Sequence, residues 1–250
     1  MAPAAAARRA AARRLLAAAA GRLPQSASSR WSLGAAALLG VALTVCSAPE
    51  PLRIRFIGNA AFELADGRTT LMLDFPYESG TGGFMTYDGA SVRPTGRVVA
   101  VFTHSHRDHF DRDLLLERGW PVVGPVELTS RLPADRVLAA ADTVTVGEFH
   151  IVPLAERHAD LEHYSYLITW RGRRIYDSGD AMDPTRLESM PELDVALVGE
   201  GLLCWMAQQR GARVPAREVM AFHFFTGESR RCLGSRALEQ GESIALPPAL

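Results

Sequence analysis

The chain has 250 residues, 48% hydrophobic and 22% charged, an ordinary globular composition that excludes wholesale disorder. It contains no strictly apolar run of about 18 residues, which excludes a polytopic membrane protein. The formal charge is −1, but residues 1–48 hold six arginines and no acid, so taking that +6 away leaves −7 on the other 202 residues. An acidic body offers no broad field for nucleic acid.

In chain order, residues 1–30 are rich in Ala and Arg, and an apolar stretch from Trp31 to Val45 follows, ending in Cys46-Ser47-Ala48-Pro49. A basic region, a short apolar segment and small residues before a proline are the parts of a secretory signal, with cleavage expected after Ala48. Residues 1–48 are therefore read as a signal peptide or N-terminal anchor outside the fold. Export to the periplasm or envelope is expected, with a cytoplasmic location if the start codon is over-extended. Membrane contact is expected only through this segment, if it is uncleaved or lipidated.

From residue 52 to 250 the pattern is that of one α/β domain built from short strands. Leu52–Ile57 and Phe62–Leu64 alternate, and Asp66-Gly67 turns the chain into Thr70–Leu73. Residues 76–97 form a long Gly/Pro-rich loop, expected to rim a site, whose Tyr77 and Tyr87 could line the mouth but need no function as exposed loop tyrosines. Val98–Phe102 reads as a buried strand and Asp111–Arg118 as a helix. Further strands are expected at Thr143–Val146, Phe149–Leu154, Tyr164–Trp170, Arg174–Tyr176, Val195–Val198, Val219–Phe222 and Ser243–Leu246.

The chemistry concentrates in Thr103-His104-Ser105-His106-Arg107-Asp108-His109. Imidazole and carboxylate are the ligands that zinc and similar divalent ions take. His104 and His106 can converge on one ion while Asp108 and His109 turn toward a second. One loop cannot close a coordination shell, so more ligands are expected at later strand ends: His158, Asp180 and His223.

His104-x-His106-x-Asp108-His109, followed by His158, Asp180 in a Ser-Gly-Asp segment and His223, resembles in order the motifs of the metallo-β-lactamase superfamily. Asp74 matches an early aspartate common there. The resemblance spans about residues 52–250 and is nearest to the small lactonase-like hydrolases. It implies a four-layer αββα sandwich of two mixed sheets flanked by helices, with two divalent ions at one edge. Zinc is the expected ion, with manganese or iron(II) as alternatives. By position, His104, His106 and His158 would hold the first ion, Asp108, His109 and His223 the second, and Asp180 would bridge them. The implied activity is hydrolysis of an ester, lactone or related small molecule by a hydroxide activated between two metals, with Asp108 handling the proton. A phosphodiesterase of the same fold and a non-catalytic metal-binding protein are the alternatives, and the oligomeric state is left open.

Remaining positions carry weaker expectations. His163, at the start of a strand, is either a satisfied polar residue there or a weak candidate for a proton donor or substrate contact. His150 is read as structural. With no CxxC spacing among Cys46, Cys204 and Cys232, no disulfide scaffold is expected, and Cys204 is read as a small buried hydrophobe. The chain has no lysine, which excludes Schiff-base chemistry.

Overall fold

A computed structural model describes residues 50–225, 227 and 232–249; the N-terminal segment that reads as a signal or anchor lies outside them. Strands β1 (Leu52–Gly58), β2 (Ala61–Ala65), β3 (Thr69–Leu73), β4 (Arg97–Val101), β5 (Val122–Gly124) and β6 (Val137–Ala140) lie in that order in one sheet. The chain then builds a second sheet from β7 (Val144–Val146), β8 (Phe149–His158), β9 (Leu161–Trp170), β10 (Arg173–Asp177), β11 (Leu193–Gly199), β12 (Ala216–Phe222) and β13 (Arg236–Ala237). Its last strand, β14 (Ser243–Leu246), returns to the first sheet and pairs antiparallel with β1, Leu52 opposite Leu246. Each sheet has seven strands and mixes antiparallel hairpins with a parallel run, β3 to β6 in one and β10 to β13 in the other.

The core follows from the alternation. Leu52, Ile54, Phe56, Phe62, Leu64, Leu71, Val99 and Val101 face Phe149, Ile151, Tyr166, Ile168, Trp170, Val195, Leu197 and Phe222 across the gap between the sheets. The outer faces are covered by short helices: α1 (Arg112–Arg118) and α2 (Val126–Thr129) on the first sheet, α3 (Thr185–Glu188) and α4 (Glu200–Met206) on the second. Asp111 caps α1 by accepting from Leu114 N, and Gly119, in the left-handed region at φ 70°, ends it. The architecture is the expected αββα sandwich.

Three local expectations change. Strands β8 and β9 run longer than the hydrophobic pattern indicated, because they pair as one continuous hairpin from Phe149–Trp170 to His158–Leu161; Glu162 and His163 consequently lie inside a strand. Strands β5 and β6 and helix α4 carried too few residues to stand out. Cys204 is half-buried and forms a disulfide with Cys232, 28 residues on. That spacing carries no signature; the parallel pairing of β11 with β12 brings α4 beside the segment that follows β12. Closing a loop of this length stabilises a fold by about 3.5 kcal/mol. Cys204→Ser is expected to lose about that much in a denaturant titration, and reducing the unmutated protein should reproduce the loss.

Candidate metal centre

The parallel strands end at one edge of the sandwich, and the loops leaving those ends carry the polar residues, as is usual for open α/β sheets. Residues 103–109 leave β4, Asp74 follows β3, Asp180 follows β10, His223 follows β12 and His158 closes β8. All seven sequence-derived ligand candidates meet there, in two overlapping groups: His104, His106, His158 and Asp180, then Asp108, His109, Asp180 and His223.

In the first group, His106 Nδ1 lies 3.0 Å from His104 Nε2 and 3.2 Å from His158 Nε2. An imidazole nitrogen carries at most one proton, so His106 Nδ1 cannot donate fully to both rings that face it. Tetrahedral zinc–nitrogen bonds of about 2.05 Å put neighbouring donors about 3.3 Å apart, so this spacing suits an ion. Asp180 Oδ2 completes the set at 3.9 Å from both His104 Nε2 and His158 Nε2. In the second group the same oxygen lies 3.3 Å from His109 Nε2 and 3.3 Å from His223 Nε2, while Asp108 Oδ2 lies 3.0 Å from His223 Nε2. His109 Nε2 is buried without a hydrogen-bond partner, with Asp180 Oδ2 at 3.3 Å and Asp108 Oδ2 at 3.6 Å. An orphaned ring nitrogen, aimed at two carboxylates, is the donor a divalent ion would use.

Supporting contacts set the tautomers. Buried Asp74 accepts hydrogen bonds from Thr103 N–H (2.7 Å), the Thr103 hydroxyl (2.7 Å) and His109 Nδ1–H (2.8 Å). With its own proton committed to Asp74, the Thr103 hydroxyl accepts from His104 Nδ1–H at 3.0 Å. Both rings therefore present a bare Nε2 to the cluster, the outer-shell arrangement typical of metal-binding histidines. Asn59, which sequence reasoning missed, ties two loops together: its side-chain amide donates to Asp108 O at 2.8 Å, and its carbonyl accepts from His223 N–H at 3.0 Å. Asn59, Asp74 and His223 all have positive φ, at 52°, 43° and 67°, a conformation that Asn, Asp and His adopt more readily than other side-chain-bearing residues. The Gly58-Asn59 pair closing β1 was the available signal.

His163 is a buried polar residue bonded through Nε2. Its ring is buried beneath Asp180, and Nε2 accepts the Asp180 backbone N–H at 2.9 Å, so it orients that residue and does not face the mouth. Gly179 makes the close approach possible: a Cβ there would lie 2.6 Å from His163 Nε2. His150 is exposed on β8 beside Thr145. Tyr77 and Tyr87 also leave the mouth. Tyr77 is buried and donates to Met85 O, and Tyr87 donates to Tyr77 O. The long loop instead sends Phe84 to the cluster, edge-on to the His223 ring at 4.4 Å and stacked on Phe225 at 4.8 Å.

The electrostatics divide the histidines. Burial, reinforced by the neighbouring His109, holds His104 well below the ordinary imidazole range, and burial takes His163 down to about 3. Burial also disfavours charge on His109 and His223, but Asp180 and the carboxylate bonded to each ring outweigh it, lifting His109 well above its usual value and His223 to about 9. Metal uptake must displace those two protons. Zinc affinity of chelator-stripped protein is expected to rise as pH climbs from 6.5 to about 9, with proton release seen by calorimetry in buffers of different ionisation enthalpy. For the stripped protein, His223 contributes stability that is complete below pH 6.5 and lost as pH rises through about 9, and the raised His109 acts in the same direction. His104 and His163 act oppositely, because the unfolded chain takes up their protons first, so stability also falls as pH drops below 6.5.

Two facing seven-stranded sheets with this edge cluster give the chain the metallo-β-lactamase fold. No family model matches it. A UPF0173 metal-dependent hydrolase from Pyrobaculum islandicum is 24% identical over 198 residues, spanning 70% of this chain and 85% of its own length. Similar solved structures include a metallo hydrolase from Ignicoccus hospitalis, with TM-score 0.56, 16% identity and coverage of 78% of this chain and 98% of that one. An isothiocyanate hydrolase from Delia radicum gut bacteria (0.55, 15%, 78% and 99%) and the metallo-β-lactamase fold protein YhfI from Bacillus subtilis (0.54, 14%, 78% and 99%) share the fold as well.

Proposed function

We propose that the protein is an exported metal-dependent hydrolase that holds two divalent ions, zinc first among them, and cleaves an ester, a lactone or a related small-molecule bond. The observation that carries this reading is the convergence of five imidazoles and two carboxylates on one sheet edge, with Asp180 Oδ2 within 4 Å of four of the imidazoles. The name of the Pyrobaculum relative supports the same class. Export is supported by the signal-like segment together with the Cys204–Cys232 disulfide, a bond that persists in oxidising compartments.

His104, His106 and His158 would hold one ion, Asp108, His109 and His223 the other, and Asp180 would serve both. A divalent ion supplies Lewis acidity, polarising a carbonyl oxygen and acidifying water near neutrality. The chain's own residues do the rest. Burial raises the Asp108 carboxyl, but the His223 hydrogen bond and nearby His109 more than offset this and keep it below its usual range. It therefore stays an anion and is placed to receive a proton from attacking water. The water oxygen bonds to the acyl carbon, the C–O bond to the leaving alcohol breaks, and the alcohol departs with the proton that Asp108 returns. His163, beneath Asp180, keeps the shared carboxylate in place.

The test is elemental analysis of the purified protein coupled to a panel of chromogenic esters, lactones and phosphodiesters. Metal-dependent turnover that Asp108→Ala abolishes in a folded protein is expected. Bound metal without turnover on any substrate would instead indicate a binding protein.

A further inference from the structure

Beside the cluster lies a cavity of about 410 Å³, a volume within the range of small-molecule sites. Its floor is formed by His158, Asp180 and His223; its wall by Met182, Leu202 and Trp205. The wall is apolar, and among the described residues no arginine or glutamate lines it. Met182 is 66% exposed and Trp205 47% exposed, although both open onto the most polar feature of the molecule. Large apolar side chains left in water at the mouth of a charged cluster mark a surface that a ligand covers. Cys204, next to Trp205, is bridged to Cys232, which fixes this wall to the chain beyond His223.

We infer that the cavity is the subsite for the apolar part of an uncharged substrate, an acyl chain of roughly four to eight carbons or an aryl ring, with Trp205 and Met182 setting specificity. This inference rests on the hydrolytic reading above and narrows it from ester-type bonds in general to neutral carboxylic esters or lactones carrying a hydrophobic acyl group. Among the described residues, an anionic phosphodiester would find no arginine on this wall.

The experiment uses the zinc-loaded full chain with p-nitrophenyl acetate, p-nitrophenyl hexanoate and bis(p-nitrophenyl) phosphate. Four further methylenes, fully buried, would be worth about two hundredfold; in an open cavity kcat/KM for the hexanoate should exceed that for the acetate by about thirtyfold. Trp205→Ala should cut that ratio below about fivefold, and Met182→Ala should give an intermediate value, both with the zinc content of the unmutated protein. A ratio near one, a ratio that neither variant changes, or a preference for the phosphodiester would overturn the inference while leaving the hydrolytic reading standing. If no substrate is turned over, the hydrolytic reading falls, and equilibrium dialysis with hexanoyl p-nitroanilide decides the subsite separately. Binding that weakens at least fivefold in Trp205→Ala supports it, and absence of binding overturns it.

Discussion

Asp180→Asn is expected to reduce turnover about a thousandfold, with loss of bound metal and no loss of fold. The substitution keeps the shape of the side chain and removes its charge. One oxygen of this carboxylate lies between 3.3 and 3.9 Å from ring nitrogens of His104, His109, His158 and His223, so both donor groups lose their shared anion together. A thousandfold is the scale of removing one group that stabilises charge developing in a reaction. Burial opposes its ionisation, but His109 and His223 outweigh that and hold Asp180 well below the carboxylate range. The reciprocal effect gives a second readout. Without the charge, the His223 titration, near 9 in the stripped protein, should move down, as NMR of the imidazole protons would show. Metal content and turnover like those of the unmutated protein would refute the assignment of Asp180 as the common ligand.

Asp74→Ala should act one layer out and cost both stability and affinity. The carboxylate is buried and takes hydrogen bonds from Thr103 N–H, the Thr103 hydroxyl and His109 Nδ1–H. Removing it strands three buried donors, each worth about 1–3 kcal/mol, so a loss of about 4 kcal/mol is expected in denaturant titration. Metal affinity should drop by about ten- to a hundredfold, because His109 loses the partner that fixes its tautomer. Thr103→Val separates the two effects: it removes the relay to His104 and keeps the Asp74–His109 bond, so a smaller loss of about 1–2 kcal/mol is expected.

The contrast between these residues shows what was legible in the sequence. The 104–109 loop announces itself because its ligand-type side chains are neighbours in the chain. His158, Asp180 and His223 were found by their places at strand ends, which the hydrophobic pattern located well enough for the sheet order to bring them together. The sandwich itself was legible for the same reason, since alternating strands must bury one face. Contacts made across the fold were not. Asn59 matters because its loop passes beside Asp108 and His223, 49 and 164 positions away, and no local pattern encodes that meeting. The Cys204–Cys232 bond depends on β11 and β12 being parallel, and the mouth residues Phe84 and Trp205 depend on where a loop and a two-turn helix settle. His163 was noticed for its chemistry, but its burial follows from a hairpin whose strands run four residues further in β8 and start three residues earlier in β9 than the hydrophobic pattern implied.

The left-handed backbone at Asn59, Asp74 and His223 bears on how such a protein can diversify. Each of these positions is constrained twice, once by its side chain and once by a torsion that few residue types accept, so few single substitutions satisfy both. The half-exposed wall around Trp205 and Met182 carries neither restriction. Divergence among descendants of this chain should therefore accumulate in what the mouth admits, while the reacting centre is inherited intact.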